Sequence, residues 1–139
     1  MVATWSVPVL RLLTKIVGLV LIALGVVGVV VGNEPLLGLV NLDTVENVIH
    51  LVTGGLLLWA GFAAEPTLRK VVGTLGVMSL GAGILGFIAP NLFGLVPHGY
   101  SHCDNLLHLT LGVLGVFFAW VVRGQESRPS GTVAVSGLG

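Results

Sequence analysis

The sequence predicts an all-α integral membrane protein: four transmembrane helices in a bundle, built from two parallel two-helix repeats, with both termini cytoplasmic. Three observations predict it. Of the 139 residues, 55% are hydrophobic and only 9% are charged, with a mean hydropathy of +1.05, against about 25% charged residues in an ordinary soluble domain. Four apolar runs reach the roughly 20 residues that a helix needs to cross a bilayer core about 30 Å thick. All six basic residues fall on one side of those runs.

The same composition excludes other classes. Charge is too scarce and apolar area too large for a disordered chain. A formal net charge of zero with no basic cluster leaves little to pair with phosphates, so no nucleic-acid partner is expected. The one cysteine, Cys103, excludes an intrachain disulfide framework and the multi-cysteine zinc modules. The apolar runs are continuous rather than alternating, which excludes a transmembrane β-barrel.

The first span is predicted from about Leu12 to Gly32, with Lys15 near its start. It is long for a cleaved signal peptide, and the third span mirrors it. The second runs from about Val45 to Ala64, the third from about Lys70 to Ala89 and the fourth from about Asn105 to Val122. Arg11, Lys15, Arg69, Lys70, Arg123 and Arg128 all lie on one side, while the connections 33–44 and 90–104 carry no Lys or Arg. The positive-inside rule then makes both termini cytoplasmic and turns those connections outward, in the plasma membrane. The connection Glu65-Pro66-Thr67-Leu68-Arg69 is short, so the second and third helices are antiparallel neighbours. Pro66 is placed to open the third helix, where its missing N–H costs nothing. The polar, small-residue stretch 124–139 is expected to be a flexible cytoplasmic tail following a membrane domain of residues 1–123.

The repeats are predicted at about 12–64 and 66–123. Lys15-Ile16-Val17-Gly18 matches Lys70-Val71-Val72-Gly73, with Gly28 opposite Gly83. Pro35 corresponds to Pro90, and Gly38-Leu39-Val40 to Gly94-Leu95-Val96. Glu46-Asn47-Val48-Ile49-His50-Leu51 matches Asp104-Asn105-Leu106-Leu107-His108-Leu109, followed by Gly54 and Gly112. Each unit holds two spans, so the copies share one orientation and a pseudo-twofold axis along the membrane normal is expected. Glycines recur on the first helix (Gly18, Gly25, Gly28, Gly32) and on the third (Gly73, Gly76, Gly83). They suit close intramolecular helix packing or, alternatively, a face kept for an oligomer or partner subunit.

Polar chemistry concentrates where the second and fourth helices begin. Asp43 with Glu46, and Ser101 with Asp104, have the spacing of capping boxes. Asn47 with His50, and Asn105 with His108, are three apart and share a helical face. One reading gives these side chains interhelical hydrogen bonds. A second makes His50 and His108 ligands of a metal, helped by Glu46, Asp104, His102 or Cys103, or axial ligands of a haem. A third is a protonatable cluster serving proton or ion conduction. His98, His102 and Cys103 are assigned to the second outer loop, with Tyr100 as an interface aromatic. No nucleophile–base arrangement and no phosphate-binding glycine loop is found, so no enzyme is expected.

With these motifs in hand, the chain resembles a family of small four-span bacterial and archaeal membrane proteins known as a domain of unknown function. The resemblance covers about Lys15 to Val122. It rests on Pro-Leu-Leu-Gly-Leu-Val at 35–40, Glu-Asn-x-x-His-x-x-x-Gly at 46–54 and Asp-Asn-Leu-Leu-His-Leu-x-x-Gly at 104–112. It implies fold and membrane location and carries no activity; the His102-Cys103 pair stands outside the shared pattern. The leading expectation is a non-enzymatic structural or accessory subunit of a membrane complex, with lipid and a membrane-protein or self partner.

Overall fold

The described residues form helices joined by short connections, with no strand among them. The computed structural model describes residues 7–32, 43–94 and 99–121. Helix α1 is Val7–Val31, α2 Thr44–Ala60, α3 Glu65–Ile88 and α4 His102–Val116, which runs on as a wider π turn over Phe117–Val121. A short 3-10 turn, Leu92–Gly94, follows α3. Most of the first outer connection with Pro35, residue His98, the basic residues Arg123 and Arg128 and the tail 124–139 lie outside the described residues.

Local chemistry accounts for the boundaries. Gly32, at φ 83°, ends α1 in the left-handed region, its N–H donating to the Gly28 carbonyl at 3.0 Å. Helix α2 stops at Ala60, four residues before the expected end, and the guanidinium of Arg11 covers the chain there, donating to the carbonyls of Gly61 at 3.2 Å and Ala63 at 2.5 Å. Helix α3 starts five residues earlier than expected, at Glu65, because Pro66 fits the first turn. It ends at Ile88, just before Pro90. Where α4 widens, Arg69 donates to the carbonyls of Phe118 at 3.1 Å and Ala119 at 3.5 Å. Both arginines place positive charge at the negative end of a helix dipole.

Helix α1 packs along α2 and α3 along α4, whereas the two hairpins meet over a smaller area. Within each hairpin the backbones nearly touch. A Cβ on Gly18 would lie 2.7 Å from the Leu58 amide nitrogen and 2.8 Å from the Gly54 carbonyl oxygen. A Cβ on Gly76 would lie 2.9 Å from the Val116 nitrogen and 3.2 Å from the Gly112 oxygen. These glycines are therefore consumed by packing inside the molecule.

The contacts of one hairpin recur in the other at a constant step of 58 residues (76 − 18, 86 − 28, 105 − 47, 69 − 11). This corrects the sequence register of the first and third helices, which paired Lys15 with Lys70 and Gly28 with Gly83, a step of 55 (70 − 15). Gly28 corresponds in its contacts to Gly86, since both face the asparagine of the adjacent helix. The slip is three residues, close to one helical turn, so a Gly- and Val-rich helix looks alike in either register.

Burial is inverted relative to a soluble fold. Among the described residues the apolar ones removed from solvent are few: Leu10, Ala60, Leu68, Val72 and Ala119 cluster at the end carrying Arg11 and Arg69, and Tyr100 lies at the other. Large apolar side chains face outward along every helix, with Val30 80% and Ile88 74% exposed. Buried polar residues include Thr14, Asp43, Glu46, Asn47, Asp104 and Asn105. Soluble proteins bury in the opposite order. Helices α1, α3 and α4 with its π turn are long and apolar enough to cross a membrane. Helix α2, with 17 residues, spans about 25 Å at ~1.5 Å per residue.

Candidate functional site: a polar seam between the hairpins

The candidate site is assembled at the N-terminal ends of α2 and α4. Asp43 and Ser101 are extended residues preceding these helices, and each forms a capping box with the acidic residue three positions on. The Asp43 N–H donates to Glu46 Oε2 at 3.4 Å, and the Ser101 N–H to Asp104 Oδ2 at 2.8 Å. The Asp104 N–H donates to Ser101 Oγ at 3.1 Å. Both boxes satisfy amides that a helix start leaves open. Yet Glu46 and Asp104 are each only 4% exposed, deeper than capping requires.

One residue further on, Asn47 and Asn105 turn toward the adjacent helix of their own hairpin. A Cβ on Gly28 would overlap the Asn47 amide oxygen, and one on Gly86 the Asn105 amide oxygen. Neither oxygen has a hydrogen-bond partner among the described residues. Each instead lies against glycine backbone, where Cα–H groups offer weak donors. The interhelical hydrogen bonds expected of the Asn and His pairs are thus not made at these atoms. Nearby, Ser79 bridges α3 and α4 instead, its hydroxyl donating to the His108 carbonyl at 2.9 Å.

The two histidines are both half-buried, but their contacts differ. His108 Nδ1 lies 2.8 Å from the Asp104 carbonyl one turn back, which fixes the ring. His50 Nδ1 is buried with no partner among the described residues. Tyr100, immediately before α4, is buried with its ring 5.2 Å from that of His108, tilted by 59°. Burial, then the nearby carboxyl groups of Glu46 and Asp104, push its hydroxyl up to about 12.

These groups interact across the seam. Glu46 is within electrostatic reach of Asp104 and Asp43, and His50 of His108 and Asp104. Residues that correspond at the 58-residue step (104 − 46, 108 − 50) thus sense one another's charge. The cations Arg11, Lys15, Arg69 and Lys70 lie at the opposite end, where Lys15 Nζ sits 3.8 Å above the Phe62 ring.

His102 and Cys103, expected in the outer loop, form the first turn of α4 instead, because Ser101 caps the helix before them. Both are exposed, and His102 stacks on Phe87 with ring centroids 6.1 Å apart. Neither joins the seam. Among the described residues no group of three His, Cys, Asp or Glu side chains is arranged to hold a metal ion. Sequence reasoning missed the place of Tyr100 in this cluster and the carbonyl contacts of Arg11 and Arg69. The Leu-Arg pairs at 10–11 and 68–69 were the available signal, had the constant step been seen. No family model, no curated protein and no solved structure matches this chain.

Proposed function

We propose that the chain is a multi-pass protein of the plasma membrane, with four spans formed by two tandem hairpins and both termini in the cytoplasm. It serves there as a non-enzymatic structural or accessory component of a membrane complex. The observation that carries this reading is the inverted burial: glycine and polar groups face inward while the long apolar side chains face outward along all four helices. In lipid that arrangement is favourable, since small residues allow close helix contact and the outer surface is solvated by acyl chains. The 17-residue α2 fits with modest local adjustment of bilayer thickness. The clustering of Arg11, Lys15, Arg69 and Lys70 at one end supports the orientation.

The accessory role follows from what faces outward. Gly18, Gly28, Gly76, Gly86 and the seam are used within the molecule, leaving an outer surface that lipid or another membrane protein can cover. Migration of a mild-detergent membrane extract on native gels, compared with the purified protein, tests it. A larger complex in the extract supports the proposal; a lone monomer in both overturns it.

A further inference from the structure

The two hairpins share many contacts at the step of 58 residues, but they differ where α2 and α4 end. In the second hairpin Arg69 is paired with Glu65 at 2.8 Å while it donates to the Phe118 and Ala119 carbonyls. Arg11 makes the corresponding carbonyl contacts, to Gly61 and Ala63, but the residue that corresponds to Glu65 is Val7 (65 − 7 = 58). One turn along α1 from Arg11, Lys15 reaches the same place. Its stem runs beside Gly61, where a Cβ would lie 2.5 Å from Lys15 Cγ, and its ammonium sits 3.8 Å above the Phe62 ring. The residue that corresponds to Lys15 is Gly73 (73 − 15 = 58), which meets the Trp120 ring instead. Two cations thus converge on the turn after α2, and among the described residues neither has a carboxylate partner. Beside them Trp59 is 56% exposed and Phe62 71% exposed.

We propose that this turn binds the headgroup of one anionic phospholipid, in the leaflet on the side carrying Arg11 and Arg69. Arg11 and Lys15 hold the phosphate, and Trp59 and Phe62 pack against the glycerol and the first carbons of the acyl chains. The inference rests on the membrane reading above. The occupant follows from charge complementarity. Two positioned cations without a carboxylate suit a headgroup whose phosphate is not offset by an ammonium of its own, and guanidinium and ammonium groups both donate well to phosphate. Arg11 is held by two carbonyls through Nη1, which leaves its other N–H groups to donate. Lys15 begins within the span and carries its charge out past the end of α2, as long cationic side chains do at a bilayer surface. Aromatic side chains concentrate at that same level. The distribution of charge over the molecule agrees. Among the described residues this end holds Arg11, Lys15, Arg69 and Lys70 against Glu65 alone, while Asp43, Glu46 and Asp104 lie at the other.

Native mass spectrometry of the full chain, released from nanodiscs of phosphatidylglycerol and phosphatidylcholine in equal parts, tests this. The expected result is one phosphatidylglycerol retained in preference to phosphatidylcholine. Lys15→Gln is expected to lower that retention about tenfold or more, the worth of a charged hydrogen bond, whereas Lys15→Arg keeps it. Lys70→Gln removes the same charge from the same end, at an exposed position on α3, and is expected to retain the lipid as the unaltered chain does. No preference for phosphatidylglycerol in the unaltered chain overturns the proposal, and that result needs no variant to fold. Equal losses in Lys15→Gln and Lys70→Gln overturn it as well, since they would reveal only the diffuse attraction of basic residues to an anionic surface. Displacement of the lipid by excess inorganic phosphate overturns it by assigning the site to free phosphate. A chain that enters nanodiscs yet shows no lipid preference loses this inference and keeps the membrane reading; a chain that stays in solution without lipid or detergent loses both.

Discussion

Single residues in this protein act by what they leave out or keep neutral. Gly18 leaves no room between α1 and the backbone of α2, so Gly18→Ala forces the helices apart. The expected loss is about 1–3 kcal/mol, the usual cost of overpacking. Gly55, on the same hairpin, has nothing within 4 Å of its would-be Cβ, so Gly55→Ala is expected to be neutral or to gain up to about 1 kcal/mol from helix propensity. Unfolding of both variants by denaturing detergent checks the contrast; equal losses would refute the packing assignment. Tyr100 offers a spectroscopic test, because it is the one tyrosine in the chain. Its hydroxyl, ordinarily near 10, is pushed up to about 12 by burial and the neighbouring acidic groups. Phenolate absorbance is expected with a midpoint near 12 in the folded protein and near ~10 after unfolding. A group raised on folding stabilises the fold below its unfolded value and loses that contribution as pH rises through the folded one. The contribution of Tyr100 therefore disappears between about pH 10 and 12.

At the scale of elements, the helix ends carry the specific chemistry. Ser101 starts α4 by accepting from the Asp104 N–H, and Ser101→Ala is expected to cost about 1 kcal/mol. Arg69 binds the last carbonyls of α4 and pairs with Glu65 at 2.8 Å, with the Arg69 side chain 16% exposed and that of Glu65 39%. Charged hydrogen bonds to otherwise open carbonyls are worth about 1.5–3 kcal/mol, whereas an exposed i,i+4 ion pair contributes about 0.3–0.5. Arg69→Ala is therefore expected to destabilise several-fold more than Glu65→Ala in the same unfolding assay; comparable losses would show that the ion pair, and not the carbonyl contact, matters. Helix existence was legible in the sequence because long apolar runs have one stable form when removed from water. Boundaries were less so: α3 begins at Glu65 and α4 at His102, since Pro66 and Ser101 fit helix starts that hydropathy does not register.

For the whole molecule, the pattern of charge carries the proposed direction, and the contacts set register. Cys103 is exposed at the end opposite Arg11 and Arg69, so a membrane-impermeant maleimide is expected to label it on intact cells. Labelling only after the cells are opened would reverse the proposed topology. Of the seam, the sequence displayed Glu46, Asn47, His50 and their counterparts plainly, because the motif occurs twice. It did not show that Asn47 and Asn105 serve their own hairpins while the carboxyl and imidazole groups of the two hairpins sense one another's charge. Residues three apart share a broad face, and the crossing of neighbouring helices divides that face between them.

Composition and the placement of basic residues by themselves determined an all-helical chain, because a chain this apolar must satisfy its backbone internally. Which glycine meets which asparagine, the 58-residue step and the gathering of Glu46, Tyr100, His50, Asp104 and His108 at one seam were decided only by the tertiary structure. The reason is that neighbouring registers of a Gly- and Val-rich helix differ little in hydropathy, whereas backbones in contact at Gly18 and Gly76 admit one fit.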